Sequence, residues 1–202
     1  MGDGRSRRDV LGAAGTAGFA VLLAGCGKPA EPAREPVGGN VTAPGDRDIV
    51  AFALTLEYFE ADFYERVVRE NVFSGRRGEL VKRFAEEEAD HVEALEGTLR
   101  KLGGRPPDRP RPDFNRLLDG SPEAVLQRAA EIEDLGAAAY LGQASRIQNR
   151  DVLASALAIH AIEARHAAVL NYLTGQPFVP DGALASPRDR ETVLARVEEF
   201  LA

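Results

Sequence analysis

The chain has 202 residues, enough for one folded domain with additional tails, and its formal net charge of −7 argues against a nucleic-acid partner. The single cysteine excludes an internal disulfide and an iron site held by Cys-x-x-Cys pairs. Hydrophobic residues make up 44% of the sequence, which is enough apolar material for a sizeable core.

The N-terminal residues have the composition of an export signal followed by a tether. The segment Ser6-Arg7-Arg8-Asp9-Val10-Leu11 matches a twin-arginine signal, and the apolar run that ends at Ala24 is too short for a dependable membrane span. Leu23-Ala24-Gly25-Cys26 resembles a bacterial lipobox, in which the cysteine carries lipid. We therefore predict a signal peptide over residues 1–25, lipidation of Cys26 and a flexible tether over residues 26–46. The domain is expected outside the cytoplasm, in the cell envelope, with the membrane as its partner through the lipid.

Helical periodicity predicts four long helices whose connections are short, long and short. The proline-rich long connection, residues 103–120, can span a whole bundle. We predict the bundle over residues 47–175, and a loop with a short terminal helix over residues 176–202. The predicted helix limits are, in order, Asp46 or Asp48 as cap to about Glu70, Glu79 to Leu102, Ser121 as cap to about Gln148, and Asp151 as cap to Gly175.

A repeated motif singles out the interior of this bundle. Glu163-Ala164-Arg165-His166 lies in the most apolar helix, and Glu88-Ala89-Asp90-His91 is a second Glu-x-x-His. Residues three apart on a helix share a face, about 5 to 6 Å apart, so each copy offers a carboxylate oxygen and an imidazole nitrogen to one ion. Glu57 lies 31 residues before Glu88, and Glu133 lies 30 residues before Glu163. Each of these two acids is followed seven residues later by a tyrosine, Tyr64 and Tyr140 respectively, so the pattern is an internal repeat.

A Glu from each of two helices, with a Glu-x-x-His from each of two others, is the ligand set of ferritin-like di-iron and di-manganese carboxylate proteins. Over roughly residues 46–175, and most clearly in segments 53–64 and 159–168, the sequence resembles the exported ferritin-like family that includes plant desiccation-related proteins. The resemblance implies an all-α, ferritin-like four-helix bundle with one long crossover, a short C-terminal helix and two bound metal ions. The implied ligands are Glu57, Glu88, His91, Glu133, Glu163 and His166. Iron or manganese is expected, and zinc is compatible with the same donors.

Some assignments stay open at this point. Glu60 competes with Glu57 because it lies as centrally on its helix, although the repeat favours Glu57, since Glu60 aligns with Gly136. Tyr64 and Tyr140 are either hydrogen-bond partners of the ligand carboxylates or plain core aromatics. His160 is expected beside the ligands or in the core rather than as a seventh ligand.

The buried acids favour a metal site because carboxylates and imidazoles on apolar faces lose hydration that cations would replace. The leading hypothesis is a lipid-anchored, extracytoplasmic protein whose dinuclear site oxidises metal or reduces dioxygen or peroxide. The alternative is a non-catalytic envelope protein associated with desiccation or stress. The sequence does not decide whether the chain is an enzyme, which metal it holds or how many copies associate. A homodimer is one candidate arrangement.

Overall fold

The computed structural model describes residues 44–201, and this part of the chain consists of helices and their connections, without a strand. The helices are α1 (Pro44–Arg69), α2 (Gly75–Lys101), α3 (Asn115–Leu118), α4 (Pro122–Ala144), α5 (Arg150–Leu173) and α6 (Arg190–Leu201). The predicted all-α bundle with one long crossover and a short C-terminal helix is confirmed. The predicted export signal, the lipidation site Cys26 and nearly all of the predicted tether lie outside the described residues.

The four long helices form two pairs, because α1 packs mainly against α2, and α4 packs mainly against α5. Short connections within each pair make the paired helices antiparallel neighbours. The crossover between the pairs contains the one-turn helix α3, which buries Phe114 and Leu117. Arg109 fastens this crossover to α1, since its Nε donates to Asp62 Oδ1 at 3.0 Å and its guanidinium lies 4.9 Å from the centre of the Tyr58 ring.

The helix starts differ from the predicted ones at α1, α2 and α5, and α2 begins at Gly75, before the predicted Glu79. Asn149, not Asp151, caps α5, because its Oδ1 accepts from the amides of Asp151 and Val152 at 2.9 and 3.2 Å. Asp46 lies inside α1 rather than at its cap. Its buried carboxylate accepts instead from the amides of Gln148 and Asn149, at 2.9 and 2.8 Å, and so holds the α4–α5 turn against the start of α1.

The apolar core is divided along the bundle into two large clusters, one on either side of the predicted metal ligands. On three of the long helices, a residue of one cluster precedes the predicted ligands and a residue of the other follows them: Phe84 and Val92 on α2, Ile132 and Tyr140 on α4, and Ile159 and Leu170 on α5. The bundle therefore has a polar layer in its middle, sealed by apolar side chains above and below.

Among the described helices, α5 is long and apolar enough to cross a membrane by length and composition alone. In the fold, however, α5 packs against α4 and buries Glu163 and His166 on its inner face. Its composition is therefore also that of a core helix in a bundle.

Candidate metal centre

The structure brings the six predicted ligands together in the polar middle layer. Their side chains come from all four long helices: Glu57 from α1, Glu88 and His91 from α2, Glu133 from α4, and Glu163 and His166 from α5. The four carboxylate residues are 0% exposed, and the two histidines are 8% and 3% exposed. Residues that lie 30 or more positions apart in the sequence are therefore direct neighbours in the fold.

The donor atoms fall into two overlapping groups, each with atoms within 4.8 Å of one another. One group is Glu57, Glu88, His91 and Glu163, and the other is Glu88, Glu133, Glu163 and His166. Glu88 faces both groups, because its Oε2 lies 3.1 Å from His91 Nδ1 and its Oε1 lies 2.9 Å from His166 Nδ1. Glu88 and Glu163 are the two carboxylates common to both groups.

Unsatisfied polar atoms mark the same place. Most carboxylate oxygens of a native core are hydrogen-bonded, because burying an unpaired polar atom is costly. Among residues 44–201, the buried side-chain atoms without a well-formed hydrogen bond are Glu57 Oε2, Glu60 Oε2, Glu88 Oε1, Glu133 Oε2, both Glu163 oxygens and His166 Nδ1. Several of them face an imidazole nitrogen only as ion pairs, such as Glu88 Oε1 at 2.9 Å from His166 Nδ1. Carboxylate oxygens and imidazole nitrogens are donors that transition metals accept. The residues present therefore fit a pair of metal ions.

Two tyrosines hold the unshared carboxylates in a reciprocal arrangement. Tyr64 of α1 donates to Glu133 Oε1 of α4 at 2.6 Å, and Tyr140 of α4 donates to Glu57 Oε1 of α1 at 2.5 Å. Each hydrogen bond occupies one oxygen and leaves the other, Oε2, directed to the centre, where it lies 3.3 Å from an imidazole Nδ1, that of His91 for Glu57 and that of His166 for Glu133. The tyrosines therefore orient these carboxylates as well as filling the core.

Burial is the largest single influence on the pKa values of the acids in this layer, because it disfavours the charged carboxylate. It raises the pKa of Glu57 and of Glu133 to about 7, and it raises the pKa of Glu60 and of Glu163 well above the usual range, with neighbouring carboxylates adding to the effect. Burial also acts to raise the pKa of Glu88, but contacts with both histidines outweigh it and lower the pKa to about 2.

For the two imidazoles, burial and the neighbouring carboxylates shift the pKa in opposite directions, and the carboxylates have the larger effect. Burial acts to lower the pKa of His166, but Glu133 and Glu88 raise it to about 11. Burial likewise opposes the charged form of His91, and the surrounding carboxylates outweigh it and hold its pKa far above the ordinary value. Without metal, the histidines serve as the counter-cations of the acids, which is the role that a divalent ion would take over.

Glu87 also belongs to the surroundings of the site, and sequence reasoning did not single it out. Its Oε2 lies 2.7 Å from His166 Nε2, and its Oε1 accepts from Arg83 Nε at 3.0 Å. For a neutral His166 that binds metal, the contact favours the tautomer in which Nε2 carries the hydrogen and Nδ1 offers its lone pair to the centre. Periodicity along α2 places Glu88 centrally and Glu87 to one side, so only the packing of α2 beside α5 shows this contact.

The remaining predicted residues lie around this centre. Glu60 is 2% exposed and belongs to the buried layer, although it is not a member of either donor group. His160 is half-buried, and its Nδ1 lies 3.0 Å from the carbonyl oxygen of Ala137 on α4. His160 is likewise outside both donor groups, and it contacts backbone rather than a ligand carboxylate.

Comparison with known proteins agrees with this arrangement. The family model described as ferritin-like domain matches residues 45–176, which is more than half of the 202-residue chain. A search of curated proteins finds no match. The matched segment covers the four long helices, apart from Pro44 at the start of α1, and every predicted metal ligand. With this fold, a buried Glu and His cluster compatible with metal ions and a match of that extent, the chain belongs to the ferritin-like domain family.

Proposed function

We propose that this protein binds two iron or manganese ions and uses them to oxidise metal or to reduce dioxygen or peroxide. The observation that carries the proposal is the pair of overlapping donor groups, which share Glu88 and Glu163 and contain buried atoms without a well-formed hydrogen bond. A bound pair of such ions would supply one-electron redox chemistry toward an oxidant.

The side chains of the site have distinct tasks in this proposal. Glu88 and Glu163 are the shared carboxylates, while Glu57 and Glu133 each serve one ion position and are oriented by a tyrosine. One histidine completes each position with a nitrogen donor. The complete burial of the four acids keeps bulk water away, which strengthens their hold on a cation.

An apolar cavity next to the site supports a small, uncharged reactant. The cavity measures about 20 Å³, and its wall includes Ile49, Leu56, Leu95 and Tyr140. That size suits one very small molecule, and apolar lining favours one without charge. Tyr140 also donates to Glu57, so the cavity ends one side chain away from the donor group. This placement favours dioxygen over a bulky organic substrate.

We further propose that the domain works in the cell envelope, exported and lipid-anchored. The support is the twin-arginine pattern ending at Leu11 and the lipobox-like sequence ending at Cys26. Labelling of the full-length protein with a palmitate analogue tests this, with Cys26→Ser as the control. Equal labelling of both proteins would contradict it.

Metal analysis of the purified protein tests the site directly. The wild-type protein is expected to contain close to two iron or manganese ions per chain, and the Glu163→Ala/His166→Ala variant to lose most of this metal, because both donor groups lose members. Glu86→Ala is the matched control, since Glu86 is an exposed acid on the same helix as Glu88. Equal metal contents in all three proteins would end the proposal.

Turnover is measured separately, on metal-loaded protein. Oxidation of Fe²⁺ under air and consumption of peroxide are expected to exceed those of the variant that lacks metal. A fully loaded protein without either activity would favour a non-catalytic envelope or stress-associated role.

A further inference from the structure

The two halves of the repeat differ at one buried position. Glu60 follows Glu57 by three residues on α1, and Gly136 follows Glu133 by three residues on α4. The two halves therefore offer equivalent positions to the same layer, yet one holds a long acidic side chain and the other holds none. The difference sits among the proposed metal ligands, where added bulk or charge has the largest effect.

Gly136 makes room for carboxylates. A β-carbon at this residue would lie 2.6 Å from Glu60 Oε1 and 2.7 Å from Glu163 Oε2, closer than real side chains approach. Both oxygens thus border the volume that the missing side chain leaves free. Because Glu163 belongs to both donor groups, Glu60 lies against the shared part of the site.

Glu60 also has the features of a donor that awaits a cation. Its side chain is 2% exposed, and its Oε2 is buried without a hydrogen-bond partner. Burying one more acid among acids is costly unless a cation compensates it.

We propose that Glu60 is a fifth carboxylate donor of the metal pair and that Gly136 is the residue that admits it. The inference rests on the proposed function, since it requires that the site hold metal. The site then has a fifth carboxylate in addition to the four that the repeated motif supplies. This carboxylate comes from α1 and has no counterpart on α4, where Gly136 takes the equivalent position. Glu60 enters beside Glu163, on the side of the site that α1 and α4 enclose.

Titration calorimetry with Mn²⁺ on metal-free protein tests this proposal. Glu60→Gln keeps the size of the side chain and removes its charge, so it is expected to weaken Mn²⁺ binding by roughly 10-fold or more, the range seen when groups around a metal are removed. Gly136→Ala is expected to weaken binding similarly, because its methyl group occupies the space of the carboxylates. Gly97→Ala is the matched control, since a β-carbon on this helical glycine would meet nothing within 4 Å.

Thermal melting of the metal-free proteins separates weak binding from misfolding. Metal-free Glu60→Gln is expected to melt at or above the wild-type temperature, because the amide avoids the cost of burying one more acid among acids. Mn²⁺ binding by Glu60→Gln with wild-type stoichiometry and affinity would overturn the inference, even if Gly136→Ala were impaired. Failure of the wild-type protein itself to bind Mn²⁺ or Fe²⁺ would instead overturn the proposed function, so the two failures are distinguishable.

Discussion

The orientation and tautomer of a metal-binding imidazole depend on what its second ring nitrogen contacts. For His166, that contact is Glu87, which Arg83 holds in turn from the surface of α2. The ring of His166 also stacks on Phe84, with 4.0 Å between the ring centres. The second copy of the motif has Ile162 in the place of Glu87, so this support exists on one side of the site alone. The two histidines are therefore equivalent in sequence but not in surroundings.

Replacing Glu87 tests this positioning role. Glu87→Ala is expected to lower metal affinity by about 10- to 100-fold, because His166 loses the partner that fixes its tautomer and orientation. Glu87→Gln retains an acceptor and is expected to recover part of the loss. Calorimetric titration with Mn²⁺ measures both variants, and the neighbouring exposed acid serves as control through Glu86→Ala. Indistinguishable affinities for Glu87→Ala and Glu86→Ala would refute the assignment.

Among the helices, α4 has glycines at positions where other parts of the chain approach it closely. Gly142 lies so close to the segment before α6 that an added β-carbon would stand 1.8 Å from the carbonyl oxygen of Arg188. The amide of Arg188 donates to the carbonyl oxygen of Ala138 at 3.0 Å, which joins this segment to α4. The segment leads into α6, whose Val193 and Phe200 are buried. Close approach to α4 therefore positions α6 over the bundle.

Gly142→Ala is expected to destabilise the protein by about 1 to 3 kcal/mol, because the added methyl group overpacks this contact. Gly97→Ala has open space around it and is expected to stabilise α2 by about 0.5 to 1 kcal/mol, the advantage of Ala over Gly inside a helix. Chemical denaturation followed by circular dichroism measures both free energies of unfolding. A Gly142→Ala variant as stable as the wild type would show that the segment before α6 detaches without cost.

For the molecule as a whole, the middle layer links stability to pH. Glu57 and Glu133 have folded-state pKa values near 7 against 4.5 for an ordinary Glu, so the folded metal-free protein binds protons that the unfolded chain releases. Their contribution to stability is therefore lost as the pH rises from about 4.5 through 7. His166, with its pKa raised to about 11, acts in the same direction above pH 6.5. Glu88, with its pKa lowered to about 2, acts oppositely, because its contribution is lost as the pH falls from 4.5 toward 2.

The metal-free protein is thus expected to melt at a lower temperature at pH 8 than at pH 5. Bound metal is expected to reverse this trend, because the donors must be deprotonated to bind and affinity rises with pH. Scanning calorimetry at pH 5, 6, 7 and 8, with EDTA or with Mn²⁺, measures both series. A metal-free melting temperature that stays constant or rises over this interval would contradict the prediction.

The sequence by itself determined the composition of the bundle and of its middle layer. Three-residue and seven-residue spacings depend only on the geometry of a single helix, so they placed Glu88 with His91, and Glu163 with His166, on inner faces before any packing was known. The lengths of the connections likewise predicted two helix pairs and a crossover, as the structure has them.

The tertiary structure alone decided which side chains meet. Periodicity along one helix does not specify the rotation and axial position of its neighbours, because these depend on how side chains of different helices pack. For this reason the reciprocal tyrosine hydrogen bonds, the contact of Glu87 with His166 and the placement of Glu60 against Gly136 became visible only in the fold. The same reason explains Asp46, which looked like the cap of its own helix and instead binds the turn between two others.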